Sequence, residues 1–266
     1  MKKILINGNN YTSSYFLNFP ERYDVVSKIN TNSDFKELSE KYSCIVNFYQ
    51  VIEGDIFETF NENFLYVKEL SEKCKNDNIQ LVQISTADVY AKSHKWEQNV
   101  EQSDALNLHN DYLISKRVCE KFLEKDHLVL RTRNCFDNRF HPDNWLVKAY
   151  SSNKISNMID VFTYIPDLEK VLLHLTGKNK KGIYNVVQQQ SGSNLYFLST
   201  LLKTKKFQHL TPDTKDHEDV LTFSNCEKLQ CCDVNISKLL EEYTHLTDLN
   251  ASVIVCWQSI REHLGE

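Results

Sequence analysis

Short apolar runs alternate with helix-compatible segments through the first half of this chain, and that alternation restricts its fold more than any other feature. Lys3-Ile4-Leu5-Ile6-Asn7-Gly8 reads as a buried strand running into a turn, Tyr23-Asp24-Val25-Val26 as a second and Cys44-Ile45-Val46-Asn47 as a third. A long helix is expected from Asn61 to Lys75, followed by a strand from Ile79 to Ser85. A helix around Tyr112 carries Ile114, Val118 and Phe122 on one stripe, and Leu128-Val129-Leu130-Arg131 is a further strand. Strands and helices of these lengths imply right-handed crossovers and an α/β fold with a doubly wound parallel sheet. Ligands bind beyond the carboxyl ends of such strands, where Gly8, Asn47, Thr86 and Arg131 fall.

The pattern changes after Arg133. Residues 134–159 mix Asn, Asp, His and Pro with aromatic clusters, and Lys205 to Val220 is a charged, proline-containing stretch without periodicity. A chain of 266 residues accommodates one large domain or a domain with a small lobe. The expected division is a Rossmann-like dinucleotide-binding domain of residues 1–133 plus returning segments at about 155–187, and a small C-terminal substrate lobe. That lobe would comprise about 134–154 and 188–266.

A net charge of −5 argues against nucleic acid as the main partner. No apolar run approaches the ~18 residues that span a bilayer, and the expectation is a cytoplasmic protein without membrane contact. The eight cysteines include the neighbours Cys231-Cys232 but no zinc-ligand spacing. They read as small buried hydrophobes, and no metal site is expected. Only Cys135, just after the strand at Leu128, falls near the candidate site, where packing is the favoured role.

Chemistry concentrates in two segments, Ser85-Thr86-Ala87-Asp88-Val89-Tyr90 and Tyr112-Leu113-Ile114-Ser115-Lys116. A Tyr and a Lys four residues apart share one helix face. The ammonium is expected to lower the tyrosine pKa and bring the phenol into acid–base work. The Thr86 hydroxyl at a strand end would hold a carbonyl or carbinol oxygen beside it. Such a set suits hydride transfer to or from an alcohol carbon. A solvated Tyr/Lys pair on a helix surface is the plain alternative, and the surrounding order of segments argues against it.

A phosphate-binding turn should follow the first strand. Here it reads Gly8-Asn9-Asn10-Tyr11-Thr12-Ser13-Ser14, with one glycine kept and Tyr11 and Ser14 in the other two glycine places. Gly8, Asn10, Tyr11, Ser13 and Ser14 are the candidate pyrophosphate contacts, the hydroxyls replacing some backbone donors. The second strand ends in Val26-Ser27-Lys28 without an acidic residue for a ribose hydroxyl. Ser27 and Lys28 would instead suit a 2′-phosphate, which favours NADP(H) over NAD(H).

Taken in order, these segments resemble the extended short-chain dehydrogenases that modify nucleotide sugars. Within them the chain is similar to dTDP-4-dehydrorhamnose reductases and to plant-type UDP-4-keto-6-deoxyglucose 3,5-epimerase/4-reductases. The resemblance runs through Val46-Asn47, Asn63, Ser85-Thr86, Tyr112 with Lys116, and Leu130-Arg131-Thr132-Arg133. It continues through Pro142-Asp143-Asn144-Trp145-Leu146-Val147-Lys148, Phe162 to Leu168, Gly182 to Val186, and Ser224-Asn225 before Asp233. It implies a nicotinamide-dependent reduction of a nucleotide-activated 4-keto-6-deoxy sugar, with Tyr112 as proton donor, Lys116 on the nicotinamide ribose and Thr86 on the reacting oxygen. Asn47 and Asn63 would contact cofactor or serve as turn and cap residues, and Arg131, Arg133 and Asn144 are candidate substrate contacts. The resemblance also brings pairing into a homodimer through sheet-flanking helices.

Epimerisation has separate candidates. Lys148 matches the acid–base lysine of the bifunctional enzymes, while Asp88 stands where their cysteine would be. Asp88 also matches in part the acidic residues of nucleotide-sugar dehydratases and decarboxylases, although Ala87 removes the acid that dehydration requires. The alternative from a different class is a non-catalytic, partner-binding member that resembles the regulatory beta subunit of methionine adenosyltransferase; the altered phosphate loop favours it, and Thr86, Tyr112 and Lys116 together oppose it.

Overall fold

The computed structural model describes residues 2–90, 110–151, 159–193 and 234–265. Ser224-Asn225, Asp233, Cys231-Cys232 and the Lys205 to Val220 stretch lie outside the described residues.

Six parallel strands form the main sheet: β1 (Lys3–Asn7), β2 (Tyr23–Val26), β3 (Tyr42–Asn47), β4 (Gln80–Thr86), β5 (Leu128–Thr132) and β9 (Gly182–Asn185). Their spatial order is β2-β1-β3-β4-β5-β9. The chain therefore reverses direction across the sheet at β1 and β3, which opens a crevice at their carboxyl ends. Two small two-stranded sheets pair β6 (Cys135–Phe136) with β8 (Thr163–Tyr164) and β7 (Ile159–Asp160) with β10 (Gly192–Ser193).

Alternation along the strands loads both sheet faces with apolar side chains. Ile4, Ile6, Val82, Ile84, Leu128 and Leu130 pack with α7 (Ile165–Gly177). Their neighbours Leu5, Ile45, Leu81 and Val129 pack with α4 (Tyr66–Asn76) and α5 (Asp111–Leu123) on the opposite face. Each such burial stabilises by roughly 1.5–3 kcal/mol relative to exposure. A third cluster joins Phe136, Phe162, Trp145 and Leu146 of α6 (Trp145–Ser151) to Val253, Trp257 and Ile260 of α9 (Leu249–His263). The remaining helices are α1 (Tyr11–Ser14), α2 (Phe35–Lys41), α3 (Ile56–Phe60) and α8 (Ser237–Leu240).

Two departures from the sequence expectation affect the site. The helix expected from Asn61 begins instead at Ile56, capped by the Asp55 side chain on Glu58 N, and passes through a π-helical turn at Asn61–Leu65. The extra residue of that turn brings Asn63 inward, where it is buried. The second concerns the apolar stripe of α5. Val118 and Phe122 are exposed, whereas Leu113, Ser115, Lys116, Cys119, Glu120 and Leu123 face the sheet.

Candidate active site

Thr86 ends β4, and Asn110 caps α5 by accepting from Tyr112 N at 2.7 Å, so Tyr112 enters the first turn of that helix. Both residues line a cavity of about 300 Å³. Its wall runs from Asn10, Tyr11 and Thr12 past Phe48 and Gln50 to Ser85, Thr86 and Tyr112, and is completed by Arg133, Cys135, Asp143 and Lys148 among others.

Tyr112 Oη donates to Gln50 Oε1 at 3.0 Å. Lys116, 2% exposed, donates from Nζ to Ile84 O at 3.3 Å, and the nitrogen lies 5.6 Å from the Tyr112 ring centroid. The expected lowering of the tyrosine pKa is not what this geometry produces. Burial pushes the Tyr112 phenol up, with lesser contributions from Cys135 and Glu120, while burial lowers Lys116 to about 8. Desolvation is the largest cause of both shifts, because both groups sit away from water. The phenol is accordingly held protonated, the form that donates a proton.

The Thr86 hydroxyl donates to Asp88 Oδ2 at 2.7 Å and accepts from Asp88 N at 3.1 Å. Asp88 forms an ion pair with Arg133, whose Nε is 2.5 Å from Asp160 Oδ1. Arg133 is thus a cavity residue shared between two carboxylates. Lys148 pairs with Asp143 at 2.9 Å on the same wall.

Other candidates lie elsewhere. Arg131 is fully buried, with Nε and Nη2 on the two Glu120 oxygens at 2.8 and 2.6 Å and Nη1 on Tyr90 Oη. It cannot meet a substrate: alternation along β5 turns it away from the cavity that Thr132 lines. Asn144 is buried too, donating to the carbonyls of Asp137 and Arg139 and accepting from Leu146 N, so it shapes the approach to α6. Asn47 joins Asn7 and Gln83 in a polar layer within the sheet, accepting at 2.6 Å and donating at 2.7 Å. Asn63 clamps Val51, accepting from its N and donating to its O.

The first loop is reorganised around its missing glycines. Gly8 has φ of +118°, and a Cβ there would lie 2.6 Å from Tyr49 N, so glycine is required for the β1–β3 approach. Asn10 and Ser13 cap α1 reciprocally. Ser14 Oγ donates to Tyr11 O and accepts from Arg139 Nη1, both at 2.8 Å. Tyr11 donates to Asp137 Oδ1 at 2.8 Å and stacks on His141. Of the three loop hydroxyl residues, Thr12 alone lines the cavity, together with Asn10 and Tyr11. The first-turn N–H groups of a helix have no carbonyl partner within it; here that of Ser13 is taken by Asn10 Oδ1 at 3.0 Å, which leaves at most those of Tyr11 and Thr12 for an anion. Ser27 and Lys28 are exposed and form no part of the cavity wall, with Lys28 Nζ 2.6 Å from Glu62 and 4.7 Å from the Tyr49 ring centroid.

Residues 26–127, which hold Thr86, Tyr112 and Lys116, match the NAD dependent epimerase/dehydratase family. A UDP-rhamnose synthase from Acanthamoeba polyphaga mimivirus superposes with a TM-score of 0.76 at 17% identity, over 97% of this chain and 100% of the other. The family match covers part of the chain, and the superposition shows a shared fold. Other structures with this fold include a dTDP-glucose 4,6-dehydratase from Bacillus anthracis in complex with NAD, at TM-score 0.72, 15% identity and coverages of 98% and 97%. A hypothetical dTDP-4-dehydrorhamnose reductase from Sulfolobus tokodaii gives 0.59 at 20% identity, covering 76% of this chain and 81% of its own. No curated protein matches by sequence.

Sequence reasoning missed three residues of this site. Glu120 was legible, since it stands four residues after Lys116 on the same helical face and receives Ser85 Oγ at 2.7 Å as well as Arg131. Asp160, the second partner of Arg133, comes from a segment without periodicity. Gln50 carries no local signal, because only the return of the chain after β3 brings it to Tyr112.

Proposed function

We infer that this chain is a nicotinamide-dependent oxidoreductase of nucleotide-activated sugars that reduces a 4-keto group. The observation that carries the reading is the single cavity joining the β1–α1 turn to Thr86 and Tyr112, with Lys116 behind the tyrosine. The names of the similar structures, a UDP-rhamnose synthase and a hypothetical dTDP-4-dehydrorhamnose reductase, support a 4-keto-6-deoxy sugar as substrate. Residues 1–133 with about 155–187 would hold the dinucleotide, and about 134–154 with 188–266 the sugar nucleotide.

Asn10, Tyr11 and Thr12 would hold the cofactor's pyrophosphate and Lys116 the nicotinamide ribose. A reduced nicotinamide supplies hydride to the carbonyl carbon. Tyr112, a neutral phenol, gives its proton to the carbonyl oxygen, and the Lys116 ammonium stabilises the phenolate left behind. Thr86 exchanges its bond to Asp88 for one to the same oxygen. Lys28 favours NADP(H), its ammonium leaving Glu62 for a 2′-phosphate, and NAD(H) remains the competing cofactor. A preceding 3,5-epimerisation would draw on Asp88 and Lys148, and Asp88 would have to release Arg133 first.

The exposed apolar face of α3 and α5 supports a homodimer. Phe57 is 77% exposed, and Leu65, Val118 and Phe122 extend the patch. Among the described residues no helix is long and apolar enough to cross a membrane.

Tryptophan-fluorescence titration with NADPH and NADH tests the reading, followed by cofactor oxidation on addition of a UDP- or dTDP-4-keto-6-deoxy sugar. Saturable binding with substrate-dependent oxidation is expected. Failure to bind either nucleotide would favour the partner-binding reading, in which Tyr11 and its bond to Asp137 have closed the phosphate turn.

A further inference from the structure

Gln50 meets the hydroxyl on which the proposed reduction turns, and its place is built rather than incidental. On one side Tyr49 N donates to Asn7 O at 2.9 Å. On the other, Val51 N donates to Asn63 Oδ1 at 2.9 Å, and Asn63 Nδ2 donates back to Val51 O at 2.7 Å. The same Nδ2 reaches Ser115 Oγ at 3.2 Å, and that hydroxyl donates to Tyr112 O at 2.7 Å. One asparagine therefore fixes the Gln50 loop and the Tyr112 turn against each other. Between these anchors the Gln50 carboxamide lines the cavity with its oxygen 3.0 Å from Tyr112 Oη.

A carboxamide offers both an acceptor and two donor hydrogens, and the two ends suit the two protonation states of a phenol. The oxygen accepts from the neutral phenol. Once the proton has moved to the substrate oxygen, the phenolate becomes an acceptor, which only the nitrogen end can serve.

We propose that Gln50 is a positioning residue for the Tyr112 proton donor, holding the phenol through Oε1 before transfer and the phenolate through Nε2 after it. The proposal rests on the reading of Tyr112 as the acid of a ketone reduction. The proton leaves Tyr112 Oη for the carbonyl oxygen, the hydride comes from the reduced cofactor, and solvent returns a proton to the phenolate after product leaves. The carboxamide cycles without net change.

Two variants and two readouts test this. Gln50→Leu removes both ends, and kcat is expected to fall on the order of tenfold, the loss of one such hydrogen bond to a charged group, with KM for the cofactor unchanged. Gln50→Glu keeps the shape and the acceptor but opposes the phenolate with charge, so kcat should fall further than in Gln50→Leu. That order is the reverse of what side-chain volume alone would give. The second readout needs no ligand: the ring-carbon NMR signal of Tyr112 in tyrosine-labelled protein, assigned by its loss in Tyr112→Phe, should move in Gln50→Leu. Wild-type kcat in Gln50→Leu, or a glutamate variant as fast as wild type, overturns the proposal. If wild type turns over no 4-keto nucleotide sugar, the reading of function fails by itself. The NMR signal then decides the contact, an unmoved Tyr112 resonance overturning it and a moved one supporting it.

Discussion

Along α5 the face turned into the molecule carries Ser115, Lys116, Arg117 and Glu120 beside its apolar residues, whereas the face turned to solvent carries Val118 and Phe122. The inward polar groups are tolerated because each has a partner. Lys116 reaches the Ile84 carbonyl, Ser115 the Tyr112 carbonyl, and Glu120 collects Ser85, Arg117 and a bidentate Arg131. On the outward face Phe122 meets the Phe64 ring edge-on, with centroids 6.0 Å apart. Burial here follows hydrogen-bond satisfaction as much as hydropathy, and a helix oriented by its apolar stripe alone would be docked the wrong way round.

Removing the inward chemistry should give the largest change. Tyr112→Phe is expected to lower turnover by about 10²–10⁴-fold, as for loss of a general acid, while urea denaturation stays near wild type. A variant retaining full turnover would break the contrast by showing that the inward face is structural only. Next comes the ion pair behind the site. Arg131→Met leaves the Glu120 carboxylate short of its bidentate partner in a fully buried place, and unfolding free energy should drop by about 3–5 kcal/mol. Equilibrium urea curves measure it, and a loss under 1 kcal/mol would mean that Arg117 and Ser85 suffice for Glu120.

A pH profile sharpens the comparison further. Burial lowers Lys116 to about 8, so its ammonium is present below that pH and lost above it. The rate of reduction should be level on the acid side and fall roughly tenfold per unit on the alkaline side. A profile that stays level well beyond the depressed value would show that Lys116 charge is not needed. The smallest effect on stability should come from the outward face. Phe122→Asp is expected to change monomer stability by less than about 1 kcal/mol yet shift the protein toward monomer in analytical ultracentrifugation. Wild type that is itself monomeric at high concentration would leave the apolar patch without a second copy to cover it.

The sheet was legible because its signal is local and repeated. Runs such as Leu128-Val129-Leu130 are apolar on both faces, as strands covered on both sides must be, and β2 matches the expected strand residue for residue. Thr86, Tyr112 and Lys116 were legible for a related reason, since a strand end and a four-residue helical spacing place groups without knowledge of their surroundings. Arg131 was misread as a substrate contact because its sequence position, one residue before the cavity-lining Thr132, says nothing about which face of β5 it takes. The expected effect of Lys116 on Tyr112 failed similarly, the spacing being right and the solvent access invisible.

By itself the sequence determined the strand order along the chain, the helix that carries Tyr112 and Lys116, and the glycine at position 8, because these depend on periodicity and backbone sterics within a few residues. Tertiary structure decided the rest. It carried Tyr11 across to Asp137. It also set Arg133 between Asp88 and Asp160 and brought Gln50 to the Tyr112 hydroxyl. Those outcomes depend on which distant groups are left needing a partner once the sheet and its helices have excluded water.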